Sequence, residues 1–255
     1  MLQLYHFTFS HYCEKARWAL DYKGIPYESR PLVPGFHMRT TLKLAPQSCV
    51  PILAGDGVVV QDSTEIISFL ERTFPVSPLT PDDPDQAAEA LEWEEYLDEE
   101  IGVTLRRWFY FHALPDRRRS VRFLCQGANA FQRALFGPAF PRIRQAMIEM
   151  MDVYPEPSRQ AEQRLMAAFD RLDAALGRHD YLVGGQFSRA DLTACALLWP
   201  FCRPGESDSQ VEALLPEPVR ALRARSLSRR FYTWVLDTYR RHRAESPIVR
   251  RSAAL

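Results

Sequence analysis

Apolar and polar positions divide the chain into two halves with different periods. In LQLYHF (2–7), Leu2, Leu4 and the His6 ring alternate with Gln3 and Tyr5, which predicts a strand. Residues 12–23 switch to helical spacing, with Cys13, Ala16, Ala19, Leu20 and Lys23 near one face and Gly24 as the stop. Residues 26–32 read as extended and 38–44 as one short helix. Residues 51–53 and 58–61 are two strands joined across Gly55-Asp56-Gly57, a tight-turn signature. Residues 63–74 predict an amphipathic helix with Ile66, Ile67, Leu70 and Phe74 inside. The order is β-α-β-α-β-β-α. A strand–helix–strand start implies parallel pairing and the hairpin an antiparallel pair, so the first half is a mixed four-stranded sheet with helices against it.

Pro75, Pro78, Pro81 and Pro84 then recur every third residue, which cannot continue a helix and favours a stiff, extended linker. The expected organisation is a domain over 1–75, a linker over 76–86 and an all-helical domain over 87–255. In the second half Leu91, Tyr96, Ile101, Leu105 and Phe109 recur on a long helix that carries acids first and arginines last, as its dipole favours. Residues 117–153 predict one or two helices broken near Gly137-Pro138. Residues 158–177 predict a strongly amphipathic helix with Leu165, Phe169, Leu172 and Leu176 inside. Another helix starts at Ser188 and runs to Pro200, and a last one covers 227–243. The tail, 246–255, reads as loosely held.

Composition narrows the function class. The 255 residues are 46% hydrophobic, which excludes a disordered or fibrous chain. The 32 basic and 32 acidic residues cancel, so net charge points to neither nucleic acid nor an anionic membrane. All but three of the basic residues are arginines (the lysines are Lys15, Lys23 and Lys43), a bias read as genomic. Cys13, Cys49, Cys125, Cys195 and Cys202 are odd in number and widely spaced, with no CxxC pair and no Cys/His cluster. A disulfide framework or a metal site is therefore not expected, and free thiols suit a reducing, cytoplasmic compartment. The start MLQLYHFTFSHYCEK does not read as a signal peptide, and no apolar run is long enough to span a bilayer.

Three places carry candidate chemistry. Ser10 stands where the first strand meets the first helix. Orphan N–H groups and a partial positive charge face outward there and stabilise an anion. Ser10 either donates to such an anion or only caps the helix. Cys13, one turn on, is either a small core residue or a thiol with a lowered pKa near the same helix end. Ser10-x-x-Cys13 has the spacing of a redox CxxC without its first sulfur. Val50-Pro51 follows the loop APQSCV. Pro51 is a candidate cis bond that would leave the Val50 backbone N–H and C=O open to a peptide ligand, against an ordinary trans proline at a strand start. Asp62 and Ser63 open the last helix of the first half. They either bind an ammonium and a carboxylate or simply cap.

The order and spacing of SHYCEKARWALDYKGIPYE (10–28), APQSCVPIL (45–53), QDSTEIISFL (61–70) and FSRADL (187–192) resemble the soluble glutathione transferases. The resemblance implies a thioredoxin-like first domain that binds glutathione and an all-helical second domain. The segment FSRADL is similar to the family's capping box, a folding device in which Ser188 and Asp191 satisfy each other's backbone donors. Carried over, the resemblance makes Ser10 the hydroxyl that meets the glutathione sulfur. Val50, beside a cis Pro51, would pair with the cysteinyl backbone. Asp62 and Ser63 would hold the γ-glutamyl end, and His37, Arg39 or Gln47 the glycyl carboxylate. His11 stands where many members carry proline, and Ser48 where many carry glycine. His6 falls near the position of the catalytic tyrosine in other members, with Tyr5 and Tyr12 as poorer matches.

The resulting expectation is a glutathione-dependent transferase that conjugates the thiolate to a small, largely apolar electrophile. Ser10 is its catalytic residue, with His11 and Cys13 as second choices. The second-substrate pocket is expected from Phe9, Tyr12, Trp93, Tyr96 and Trp108, with Tyr110 and Phe111 also candidates and 114–157 as a cover. Glutathione is the co-substrate, with no metal, nucleic acid or membrane partner, and the family implies a homodimer. Two other classes stay open: a thiol–disulfide or peroxide reductase using Cys13, and a non-catalytic binding or interaction protein.

Overall fold

In the computed structural model, which describes residues 1–177, 179–207, 210, 214–243 and 249–251, β1 (Leu2–His6) is the middle strand of the sheet. Leu2, Leu4 and His6 point inward and are buried, as the alternation requires. β1 runs parallel to β2 (Tyr27–Pro31) and antiparallel to β3 (Ile52–Gly55), which pairs antiparallel with β4 (Val58–Gln61). Gly55 is required at the hairpin because a Cβ there would lie 2.4 Å from the Met1 carbonyl oxygen.

α1 (His11–Tyr22) crosses from β1 to β2 and ends at Gly24, whose φ of +65° suits a left-handed stop. α2 (Met38–Leu44) leads to β3, and α3 (Ser63–Thr73) packs Ile66, Ile67 and Leu70 against α1. Phe74 is only half-buried. The mixed sheet expected from residues 1–74 is present. It carries one addition: β5 (Val249–Arg251) lies parallel on the outer edge of β2, giving the order β4-β3-β1-β2-β5. The tail read as loosely held therefore includes a strand. Three residues are too few to show alternation, and the partner is an open sheet edge that any extended segment can join. The rest of that tail lies outside the described residues.

α4 (Pro84–Leu97) starts inside the stretch read as linker, with Asp83 capping it and Pro84 in the first turn, where a missing N–H costs nothing. The long helix is not uniform. α4 passes into a π-helical segment (Asp98–Val103) and continues as α5 (Thr104–Ala113). Leu91, placed on the inner face by the spacing, is exposed. Gly102, inside the π segment, makes room for Tyr12: a Cβ there would overlap the Tyr12 hydroxyl.

α6 (Arg117–Leu124) and α7 (Ala130–Met151) are separated at 125–129, not at Gly137-Pro138. α7 runs through Pro138 and Pro141. Pro141 deprives the Gly137 carbonyl of its helical donor, and Arg117 Nη2 donates to it instead at 3.0 Å. A capping box of Asn129 and Gln132 sets the true start.

α8 (Pro155–Leu176) and α9 (Arg189–Cys202) match the helical spacing, and the Ser188–Asp191 capping box is formed. α10 (Glu217–Ser226) was not foreseen. α11 (Arg230–His242) is the last helix, starting later than the spacing suggested. α9 packs on α1 and α4, and one hydrophobic core runs through both halves of the chain. The Trp18 indole, wholly buried on α1, donates to the His242 carbonyl at 3.1 Å.

Candidate active site

Ser10 sits just ahead of α1 in extended backbone, with φ −81° and ψ 128°, so its carbonyl starts the helix and its Oγ accepts from the Cys13 N–H at 3.4 Å. The cap does not hide it. Ser10 borders a cavity of about 460 Å³ between the sheet domain and the helices. Phe9, His11 and Tyr12 line the same cavity, as do His37, Ser48 and Val50 from the loops around α2. The far wall comes from α5, α6 and α7, with Phe109, Phe123, Ile143 and Met147. An aromatic ladder joins the two sides: Phe7 stacks on Phe9 at 5.4 Å, Phe9 meets Phe123 at 4.9 Å, and Phe123 meets Phe109 at 5.4 Å.

The Val50-Pro51 bond is cis. Pro51 is buried, while the Val50 N–H and C=O form no hydrogen bond among the described residues. The preceding loop is held by Gln61, a residue outside the candidate set. Gln61 Nε2 donates to the Gln47 and Cys49 carbonyls, both at 2.8 Å, and its Oε1 accepts from the Gln47 N–H at 3.4 Å. Gln47 itself points to solvent, as does Arg39, and neither borders the cavity. Asp62 has φ +88° and ψ 142°, a region that L-residues rarely occupy, while its Oδ1 accepts from the Thr64 and Glu65 N–H groups. Ser63, beside it, is buried.

The titratable groups separate into distinct states. Burial pushes the Cys13 thiol up, and Cys13 is wholly buried and does not reach the cavity. It is a core residue, and the reading of it as a nucleophile is corrected. His6 is also a core group: Arg17 Nη1 donates to its Nδ1 at 2.8 Å, so Nε2 carries the proton toward Ser29 Oγ at 2.8 Å. Burial, with Arg17 adding, lowers its pKa to about 3. His11 is held at about 3 by burial and by the Arg106 charge. The Gly35 N–H donates to His37 Nδ1, which leaves the ring proton on Nε2; burial lowers the His37 pKa, opposed by a hydrogen bond to the Ser48 backbone, and the ring borders the cavity. Tyr12 donates to the Asp98 carbonyl at 2.9 Å, and burial raises its pKa. Tyr5 donates to Gln3 Oε1, outside the site.

Both buried histidines bind protons more readily once unfolded. Stability should therefore fall as pH drops from about 6.5 toward 3, by up to about 1.4 kcal/mol per pH unit for each. Urea midpoints at pH 7, 5.5 and 4.5 check this. His6→Gln with His11→Gln should flatten the profile, and an unchanged slope would assign the acid sensitivity elsewhere.

Three expected pocket residues are misplaced. Trp93 and Tyr96 lie away from the cavity, where the Arg171 guanidinium covers both rings, 4.6 Å and 3.8 Å from their centroids. Trp108 is buried against His112, and neither it nor Phe111 borders the cavity, whereas Tyr110 does. Arg106 and Phe109 line the cavity without having been expected there, while Phe123 and the α7 side chains belong to the 114–157 segment expected as its cover.

Family models described as the glutathione S-transferase N-terminal domain and the glutathione S-transferase C-terminal domain match residues 4–89 and 134–217. Glutathione S-transferase TCHQD of Arabidopsis thaliana is 28% identical over 77% of this chain and 76% of its own length. The chain belongs to the glutathione S-transferase family. Protein LigF of a Sphingobium species is 30% identical over 64% of the chain and 63% of its own length. The crystal structure of beta-etherase LigF superposes with a TM-score of 0.60 at 24% identity, covering 93% of this chain and 99% of that one. A Methylobacterium radiotolerans glutathione S-transferase in complex with glutathione sulfonate gives 0.57 at 20% identity, covering 99% and 97%. These superpositions speak for the fold. The family matches make the protein a glutathione S-transferase-type enzyme, the class the motifs implied. Among the described residues, no helix is long and apolar enough to cross a membrane, and no cluster of metal-binding side chains occurs.

Proposed function

We propose that the protein conjugates glutathione to a small electrophile whose body fills the apolar cavity. The observation that carries this is the position of Ser10, whose hydroxyl stands at an open helix N-terminus on the border of that cavity, with the unpaired Val50 backbone on the same border. Glutathione fits the polar groups of the first half. Its cysteinyl backbone has the Val50 N–H and C=O, its ammonium the free oxygen of Asp62, and its γ-glutamyl carboxylate Ser63 and the N-terminus of α3. His37 is placed to donate to the glycyl carboxylate. Residues 1–75 are thus the glutathione-binding domain, and the helical residues beyond the linker hold the second substrate. The thiol proton leaves to solvent, and the thiolate is stabilised by the Ser10 O–H and the α1 dipole. Sulfur attacks carbon, a C–S bond forms, and the leaving group departs with the electron pair of the bond it breaks.

The reductase reading loses its nucleophile, because Cys13 is sealed in the core. Calorimetric titration with glutathione, together with glutathione-dependent turnover of a chloronitrobenzene, tests the proposal. Binding and turnover are expected, and their joint absence at millimolar glutathione would sink it. A two-fold dimer is proposed with it, and a monomeric mass by light scattering would rule that out. Gln61→Ala should raise KM for glutathione roughly 3–10-fold with kcat little changed, because its hydrogen bonds fix the loop before Val50. Steady-state kinetics check this, and a rise confined to KM for the electrophile would contradict it.

A further inference from the structure

The cavity is apolar, yet two of its polar atoms are buried without partners. His11, 7% exposed, leaves Nε2 with no hydrogen bond, and Arg106 leaves Nε in the same condition. Both residues line the cavity, and both touch the Tyr12 ring: the His11 ring centroid lies 4.5 Å from it and the Arg106 guanidinium 5.7 Å. Buried polar atoms almost always have partners, so two orphans on one wall mark a place where a ligand group belongs. The charge balance says which group. Arg106 has no ion pair among the described residues, and no aspartate or glutamate borders the cavity. The other cation on the border, Arg142, is exposed at the rim. Arg106 shares a helical face with Phe109 and Tyr110, so its charge projects among rings that would pack an aromatic body.

We propose that Arg106 is a specificity-determining residue and that the second substrate carries a carboxylate on an otherwise apolar, aromatic body, which Arg106 receives. This rests on the proposed function for the identity of the cavity as the electrophile site. A charged hydrogen bond in a largely dry pocket discriminates strongly against a neutral isostere.

The probes are 4-chloro-3-nitrobenzoate and 4-chloro-3-nitrobenzamide, equal in size and differing in charge. Their dissociation constants are measured by calorimetry for the wild type and for Arg106→Gln, Arg106→Lys and Arg142→Gln, each checked for folding by its thermal melt. The readout is the ratio of the two constants within one protein, which a general loss of binding does not move. The wild type should prefer the benzoate by about tenfold or more. Arg106→Gln should abolish the preference, Arg106→Lys should restore part of it, and Arg142→Gln should keep it. Equal affinities in the wild type, or a preference that survives Arg106→Gln, would overturn the assignment, as would a preference lost only in Arg142→Gln. Glutathione titrated into the same preparations reads the proposed function separately. Its failure to bind would remove that function and leave the ratio to be judged by itself.

Discussion

Ser10→Ala should lower kcat/KM for glutathione conjugation by about 10²–10³, the loss typical when one preorganised donor to a developing anion is removed. Two terms act at this position. In the proposed mechanism the hydroxyl donates to the thiolate, while the α1 N-terminus, capped by the same oxygen, supplies partial positive charge. The variant retains the helix and loses the hydroxyl. The apparent pKa of bound glutathione should therefore rise by about one to two units, each worth 1.36 kcal/mol. Loss of the cap also costs about 0.5–2 kcal/mol of stability, so activity must be compared below the onset of melting. Ser10→Thr keeps an oxygen for the cap and a proton for the thiolate, and should recover most of the activity. Cys13→Ala is the contrasting experiment: its sulfur is buried and its pKa pushed up, so turnover should persist while stability falls by about 1 kcal/mol. Near-wild-type turnover in Ser10→Ala, or its loss in Cys13→Ala, would reverse the assignment of roles. Thiolate absorbance titration and initial rates make both measurements.

The sequence was most informative where the signals are short-range. Gly24, the Gly55-Asp56-Gly57 turn and the Ser188–Asp191 box each act over a few residues, and each stands where its local chemistry put it. The helical half was harder because spacing tells which positions are buried, not which of them face a cavity. Leu105 and Phe109 lie beyond the π segment at Asp98–Val103 and are buried as the spacing predicts. Trp108 is equally buried but packs on His112, while Arg106, Phe109 and Tyr110 line the cavity. Pro138 misled for a related reason: a proline is tolerated within a helix when another group takes up the carbonyl freed nearby, and Arg117 is 20 residues away in sequence. Gln61 was invisible because its role is a set of contacts to another loop.

Lys15→Met should destabilise the protein by about 3–5 kcal/mol, because among the described residues it strips Asp98 of its paired cation and Glu94 of one of its two. Lys15 is wholly buried on α1, and its Nζ lies 2.8 Å from Glu94, 2.7 Å from Asp98 and 2.8 Å from Thr64 Oγ1. Glu94 keeps Arg189 at 2.6 Å, but Asp98 has no other cation among the ion pairs of the described residues. At about 2–4 °C per kcal/mol for a chain of this size, the melting temperature should drop by roughly 6–20 °C. The drop should depend on pH in a definite sense. Burial already raises the Asp98 pKa, with Lys15 opposing it, so the folded state takes up a proton more readily than the unfolded chain. Removing Lys15 widens that difference. Ionised Asp98 then weighs on the fold more as pH rises, and the loss should be larger at pH 8 than at pH 5. Lys15→Met with Asp98→Asn should recover part of the stability. A melting temperature within 2 °C of wild type, or a loss that does not grow with pH, would mean that hydrophobic contacts alone join the halves. The network matters to the site because α1 carries Ser10 at one end and Lys15 one turn further on. The buried charges thus fix the helix end that carries Ser10 against α4 and the segment that leads into the cavity wall.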